Sequence, residues 1–453
     1  MKDITVFEFD EISIGKGEKQ LSKTDFEELK QFILPKRAEE EQTQEGESDE
    51  ETLALVRDAS ACMSLGSKNG KEIIRVKNYV GIVSLKSGTT IEILPKTAYN
   101  STGDETEFAR RFVVEMLYAS GNISYKSFQR ANLEACRNMN LYEVFIRLFL
   151  DELNELYKKG IKAGYVPFED NENFLKGKLL FNEHVKRNFA HKEKFYVGYE
   201  TFSFDRVENR LIKSTLLYLK SKSREEKNRR DIRRMLLIFD EITPSQNHDN
   251  DFQRCDKGRT GKEYADVLAL CKVFLARQSF TMYSGKNDAT ALLFPMNILF
   301  EKYIAKEMAK AVKAKWSLSD QDTGKYLFGQ GRTGKFPLRP DIVLRKLPVS
   351  KDDGENEIVI IDTKWKRLYN DPQNNYGISQ ADMYQMYAYH TRYKNVKTVI
   401  LLYPFYEKID ANRYETTVFE KNILIQIKLF DLRSYIDKRK PFLDCINPCI
   451  EEL

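Results

Sequence analysis

Three charged side chains near the C-terminal end have the types and spacing to hydrolyse a phosphodiester. Pro340-Asp341 opens one strand pattern, and Asp362-Thr363-Lys364 closes the next after the apolar run Ile358–Ile361. Side chains alternate faces along a strand, so Asp362 and Lys364 fall on one side, one step apart. Pairing the two strands through the polar connection Pro348–Asn356 brings Asp341 beside Asp362. Two carboxylates suit a hard cation such as Mg²⁺, as one ion or two, and leave positions for water and phosphate. The ion polarises the phosphate and acidifies bound water, while a nearby lysine orients that water and offsets the growing charge. A D-x-K triplet by itself is common, and the plain alternative is a strand that ends in charged residues.

Neighbouring residues favour the chemical reading. The apolar run before Asp362 implies a central strand, where isolated charge is costly unless it serves a site. Gln385 and Tyr389 lie four apart on the predicted helix Ser379–Arg392 and share a face with Ile378 and Ala381, which directs both toward the sheet. The predicted helix Pro295–Val312 carries Glu301, either a further ligand or an ordinary exposed glutamate. The catalytic candidates are therefore Asp341, Asp362, Lys364, Gln385 and Tyr389; the metal candidates are Asp341, Asp362 and Glu301.

The elements that must position them point to an α+β multidomain chain. At 453 residues it is too long for one ordinary core. Residues 1–105 read as a small β-rich domain, with strands at Ile4–Phe9, Glu72–Val76, Tyr79–Leu85 and Thr90–Leu94 and a helix at Thr24–Phe32. An acidic insert, 37–52, interrupts it and has no hydrophobic period. Residues 106–284 read as mainly helical: Phe108–Ala119, Leu141–Lys159, Val207–Lys220, Arg224–Ile242 and Lys262–Leu275 carry apolar residues at three and four spacing. Residues 285–453 alternate strands with a helix, as an α/β domain with a mixed central sheet. The net charge of +5 is too small an excess to argue for a nucleic-acid partner. No run reaches the ~18 apolar residues of a membrane span, no signal-peptide pattern opens the chain, and six scattered cysteines fit a reducing cytoplasm.

Other patterns are weaker. Gly329–Phe336 nearly matches a phosphate-binding loop, but Phe336 stands where Ser or Thr must hold Mg²⁺, and the segment leads into a strand. Gly258–Lys262 repeats GRTGK before Glu263. Both read as basic turns, so no nucleotide is expected on this chain. Cys445 and Cys449 lack the further ligands zinc needs, and His184, His191, His248 and His390 are dispersed. The basic segment Lys176–Lys194 is interleaved with Phe181, Phe189 and Phe195, a pattern that suits nucleic-acid contact and equally a half-buried strand or loop. The charged start of Arg224–Ile242 reads as a solvated helix face or as a DNA or partner contact.

Four stretches together resemble the McrC family, nuclease subunits of the McrBC modification-dependent (type IV) restriction systems. They are Val80–Lys96, ending Ile93-Leu94-Pro95-Lys96; Phe174–Lys178 followed by Phe204–Arg210; Phe294–Tyr303; and Leu338–Asp341 with Ile361–Lys364. The resemblance implies a PD-(D/E)xK nuclease of the variety with a Q-x-x-x-Y helix, here Gln385 to Tyr389. It implies an McrB-like AAA+ GTPase ring as partner and methylated DNA as substrate. The N-terminal part would insert into that ring and stimulate GTP hydrolysis, with residues 106–284 docking the partner, as a defence against foreign DNA. The acidic insert departs from the family pattern and leaves the docking geometry open. Two other functions stay in play: a regulatory scaffold that does not cut, and a stand-alone exonuclease, whose usual four-cysteine iron–sulfur site the spacing here does not supply.

Overall fold

A computed structural model describes residues 3–33, 62–85, 87–96, 103–120, 139–255, 258, 263–275, 290–312, 315–329, 333–348, 357–405, 418–420, 423–436 and 438–447. The acidic insert 37–52, most of the connection Pro348–Asn356, most of Gly258–Lys262, Cys136 and Cys449 lie outside them. The chain divides into two compact units, 1–122 with 286–453, and 123–285.

The N-terminal segment contributes β1 (Asp3–Phe7), β2 (Glu11–Ile14), β3 (Gln20–Leu21), α1 (Lys23–Ile33), β4 (Met63–Lys68), β5 (Lys71–Val76), β6 (Tyr79–Ser84), β7 (Thr90–Leu94) and α2 (Gly103–Ala119). The β4 strand was not expected. Its pairing with β5 turns on Asn69-Gly70, both at positive φ, the backbone a two-residue hairpin demands. One sheet runs β3-β2-β5-β4. The second runs β1-β7-β6 and is completed by β11 (Thr290–Pro295), some two hundred residues later in the chain. That pairing joins the β-rich N-terminal segment and the C-terminal segment in one unit, where the sequence reading gave 1–105 and 285–453 as separate domains.

Unit 123–285 packs α3 (Leu141–Lys159), α5 (Val207–Lys222), α6 (Glu226–Ile238) and α8 (Ala265–Leu275), with shorter α4 (Phe181–Arg187) and α7 (His248–Arg254). Asn140 caps α3 by accepting from the Glu143 backbone N–H at 3.0 Å. The buried Glu143 carboxylate accepts from Ser223 Oγ and Asn228 Nδ2, each at 2.8 Å, and so locks α3 to α6. The unit is not helical throughout: β8 (Gly164–Glu172) and β10 (Phe195–Ser203) form a long antiparallel ribbon, with β9 (Lys178–Leu179) on the other edge of β10. The charged stretch of α6 is largely exposed, as a solvated face would be.

The remainder of the first unit is built on α9 (Met296–Ala311) and a seven-stranded mixed sheet. Its order is β12 (Trp316–Asp320), β15 (Ile342–Lys346), β16 (Ile358–Thr363), β17 (Val396–Pro404), β19 (Ile423–Phe430) and β18 (Val418–Glu420), with β20 (Ile446–Asn447) on β19. A separate hairpin, β13 (Lys325–Phe328) with β14 (Lys335–Leu338), precedes β15. Helix α10 (Gln380–Arg392) packs on β17, and α11 (Leu432–Ile436) follows β19. Val399, Leu401, Ile360, Met386 and Tyr389 meet in the core between α10 and the sheet.

Candidate active site

The floor of the site is β16. Its sequence IVIIDT is buried from Val359 to Thr363, as a strand covered on both faces must be. It runs antiparallel to β15 and parallel to β17. Ile342 pairs with Ile361, so Asp341 stands level with Asp362, as the sequence suggested. Asp341 Oδ2 accepts from both the backbone N–H and the hydroxyl of Thr363, each at 2.7 Å. Lys364 N–H donates to Leu402 O at 2.9 Å, carrying the parallel pairing one residue past the strand and fixing the lysine. Its Nζ forms an ion pair with Asp362 Oδ2.

Helix α9 brings Glu301 to the same place. Gln321 ties the group together: its side chain donates to Glu301 Oε1 and its backbone N–H to Asp341 O, the latter at 2.9 Å. A cleft of about 520 Å³ opens here, lined among others by Asn78, Tyr79, Glu301, Asp341, Lys364 and Asp382. Asp362 lies beneath that lining, 0% exposed. Among the described residues no three His, Cys, Asp or Glu side chains are grouped to hold a metal ion between them.

The electrostatics are those of acids crowded away from water. Burial and then the charge of Asp341 push Asp362 up to about 7; burial and then Glu301 push Asp341 up to about 6. Glu301 is raised by burial and by Asp362. Burial works against the Lys364 ammonium, but Asp362 and Asp341 outweigh it and raise its pKa. Burial also opposes ionisation of Asp382, yet Lys366, 2.7 Å away, holds its pKa low.

Gln385 and Tyr389 stand apart from the cleft lining. Gln385 Nε2 donates to the Tyr389 hydroxyl at 2.7 Å, and that hydroxyl donates to Arg339 O at 3.0 Å. The pair thus clamps the backbone two residues before Asp341. The inward face of α10 is Asp382, Met386 and Tyr389; Ala381 is exposed, contrary to the expected face, because the helix turns Met386 onto the sheet. Thr363, Gln321 and the Lys366–Asp382 pair were missed from sequence. Asn78 and Tyr79 were also missed, and only the β6–β11 pairing reveals them. The phosphate-loop look-alike has a structural cause instead: a Cβ on Gly334 would meet the Tyr326 ring at 2.4 Å, and Gly329 has φ +73°.

In unit 123–285 Phe181 is 68% and Phe189 85% exposed, while Phe195 is half-buried at the start of β10. His184 serves the local structure, stacking on Phe195 and accepting from Tyr196 N–H at 3.3 Å.

Residues 74–404 match the model of the McrBC 5-methylcytosine restriction system component family. The chain belongs to that family. The McrBC match takes in β6, β7, α9 and all of Asp341, Asp362, Lys364, Gln385 and Tyr389. The chain is 22% identical over 341 residues to the type IV methyl-directed restriction enzyme EcoKMcrBC of Escherichia coli (strain K12), covering 69% of this chain and 90% of that protein. Its fold is similar to a chain in a half-complex from a tetradecameric assembly of Thermococcus gammatolerans McrB AAA+ hexamers with bound McrC. There the TM-score is 0.65 at 21% identity, covering 95% of each chain. No described helix is long and apolar enough to cross a membrane.

Proposed function

We propose that this chain is the DNA-cleaving subunit of a GTP-driven restriction complex, a Mg²⁺-dependent PD-(D/E)xK endonuclease that works with an McrB-like AAA+ ring and stimulates its GTPase. The observation that carries the reading is the meeting of Asp341, Asp362 and Lys364 at the end of one sheet, with Glu301 facing them. The donor set suits a hard cation: carboxylates raised by burial and by one another are those a bound cation would return to the charged form. Asp341 and Asp362 would hold it, without Glu301, which does not group with them as a third ligand. When bound, the ion supplies charge neutralisation at the phosphate and acidification of water.

The chain's own residues do the rest. Thr363 fixes the Asp341 carboxylate, and Asp362 keeps the Lys364 ammonium charged and in place. Lys364 orients the attacking water and donates to the phosphate oxygens as charge builds. The Gln385–Tyr389 clamp sets where Asp341 enters the site. Partner association is supported by the relatives' McrB assembly and by the exposed aromatics Phe181 and Phe189 in the middle unit. The test is cleavage of methylated DNA by the assembled complex with GTP and Mg²⁺. Asp362→Asn and Lys364→Ala should each lose cleavage by at least ~10²-fold while GTPase stimulation persists. Cutting at the unmodified rate would refute the site.

A further inference from the structure

We propose that the β13–β14 hairpin is a DNA arm whose two exposed phenylalanines stack on an unpaired base a few nucleotides from the cleft. The inference rests on the nuclease reading and adds to it a contact that the catalytic residues do not provide.

Among the described residues of 325–339 the charged side chains are Lys325, Lys335 and Arg339, all basic. Phe328 is 62% and Phe336 66% exposed, and their rings meet edge to face with centroids 6.2 Å apart. The ladder pairs Phe328 with Lys335 and Tyr326 with Pro337, and skips Phe336. Phe336 has φ +57°, a backbone that a bulky residue adopts only under strain. A two-stranded hairpin is marginal by itself in water, and this one places its largest apolar groups outward.

The hairpin is nonetheless fixed to the site. Arg392 Nε donates to Tyr326 O at 2.9 Å, and Tyr389 donates to Arg339 O, so α10 holds β13 and the residue that follows β14. Phe336 is five residues from Asp341, at most roughly 17 Å at ~3.4 Å per residue. Aromatic faces beside a track of cations with no acid among them fit a polyanion with exposed bases.

The test uses the full chain with its partner ring and Ca²⁺ in place of Mg²⁺, to permit binding without cutting. The readout is anisotropy of two fluorescein-labelled DNAs, one fully paired and one with a short unpaired gap. Phe328→Ala with Phe336→Ala should weaken binding of the gapped DNA about tenfold or more and that of the paired DNA much less. The corresponding pair of tyrosine substitutions should restore it. Lys325→Ala with Lys335→Ala should lower the slope of log affinity against log salt by about 1.4, near 0.7 for each phosphate no longer neutralised. GTPase stimulation should not change. An equal loss of affinity for both DNAs in the alanine variant, or no loss for the gapped one, would overturn the proposal; so would loss of ring association, which would assign the surface to the protein partner. Failure of the nuclease reading has a separate signature: the unmodified complex would not cut when Mg²⁺ is restored, whatever the binding result.

Discussion

Asp341 and Asp362 stand side by side, Asp362 fully buried and Asp341 on the cleft wall, with Lys364 the cation that partly compensates them. Each would be cheaper as a neutral acid, and burial drives both that way. Asp362 was legible because a carboxylate is improbable at the end of an apolar run. Thr363, between Asp362 and Lys364, was not, since a threonine in a strand is unremarkable until its hydroxyl is seen on Asp341. A second buried acid was wholly silent in the sequence. Glu8, 0% exposed, accepts from Trp365 Nε1 at 3.0 Å and from Lys96 N–H at 3.2 Å, and burial pushes its carboxyl up to about 8. In the unfolded chain the proton leaves near 4.5, so between about 4.5 and 8 the folded state holds the extra proton. Its stabilising share is complete below 4.5, declines as pH rises toward 8, and is flat above. Denaturant unfolding at a series of pH values should show that decline, and Glu8→Gln should flatten it. An equal slope in the variant would rule Glu8 out as the cause.

At the scale of elements, the long apolar or strongly periodic segments were readable and the polar ones were not. The expected helix Leu141–Lys159 matches α3 to the residue, and the run before Asp362 forms the central β16. The β4 strand went unread because most of its outward residues are polar, charged or Gly, although Asn69-Gly70 is a strong turn signal, and the short β13–β14 hairpin because its exposed phenylalanines break the alternation. The β8–β10 ribbon was obscured in the same way by its charged residues. Helix α10 shows where spacing was only half sufficient. It placed Gln385 and Tyr389 together, but the hydrogen bond from Tyr389 to Arg339 O makes them a clamp on the approach to Asp341. Tyr389→Phe should therefore cost about 1–2 kcal/mol of stability. It should slow DNA cleavage by roughly tenfold, less than a site carboxylate does, because a small displacement of Asp341 suffices. Loss as complete as in Asp362→Asn would mean the hydroxyl meets the substrate.

For the whole molecule, chain order hid the grouping. No local pattern reveals that β11 completes the N-terminal sheet beside β6, that Phe112 of α2 packs on Tyr303 and Trp365, or that Glu8 reaches Trp365. The C-terminal segment consequently lacks part of its core when cut from the N-terminal one. Residues 286–453 expressed alone should melt without a cooperative transition, whereas 123–285 should unfold as a two-state domain. A sharp transition in the first fragment would show that the N-terminal strands are dispensable to the site. The most direct measurement compares DNA cleavage rates of the assembled complex carrying Asp341→Asn, Asp362→Asn or both. Groups that act as one unit are not additive, so each single substitution should abolish cutting nearly as fully as the pair. Substantial cutting by the double variant would contradict a nuclease centre at these residues.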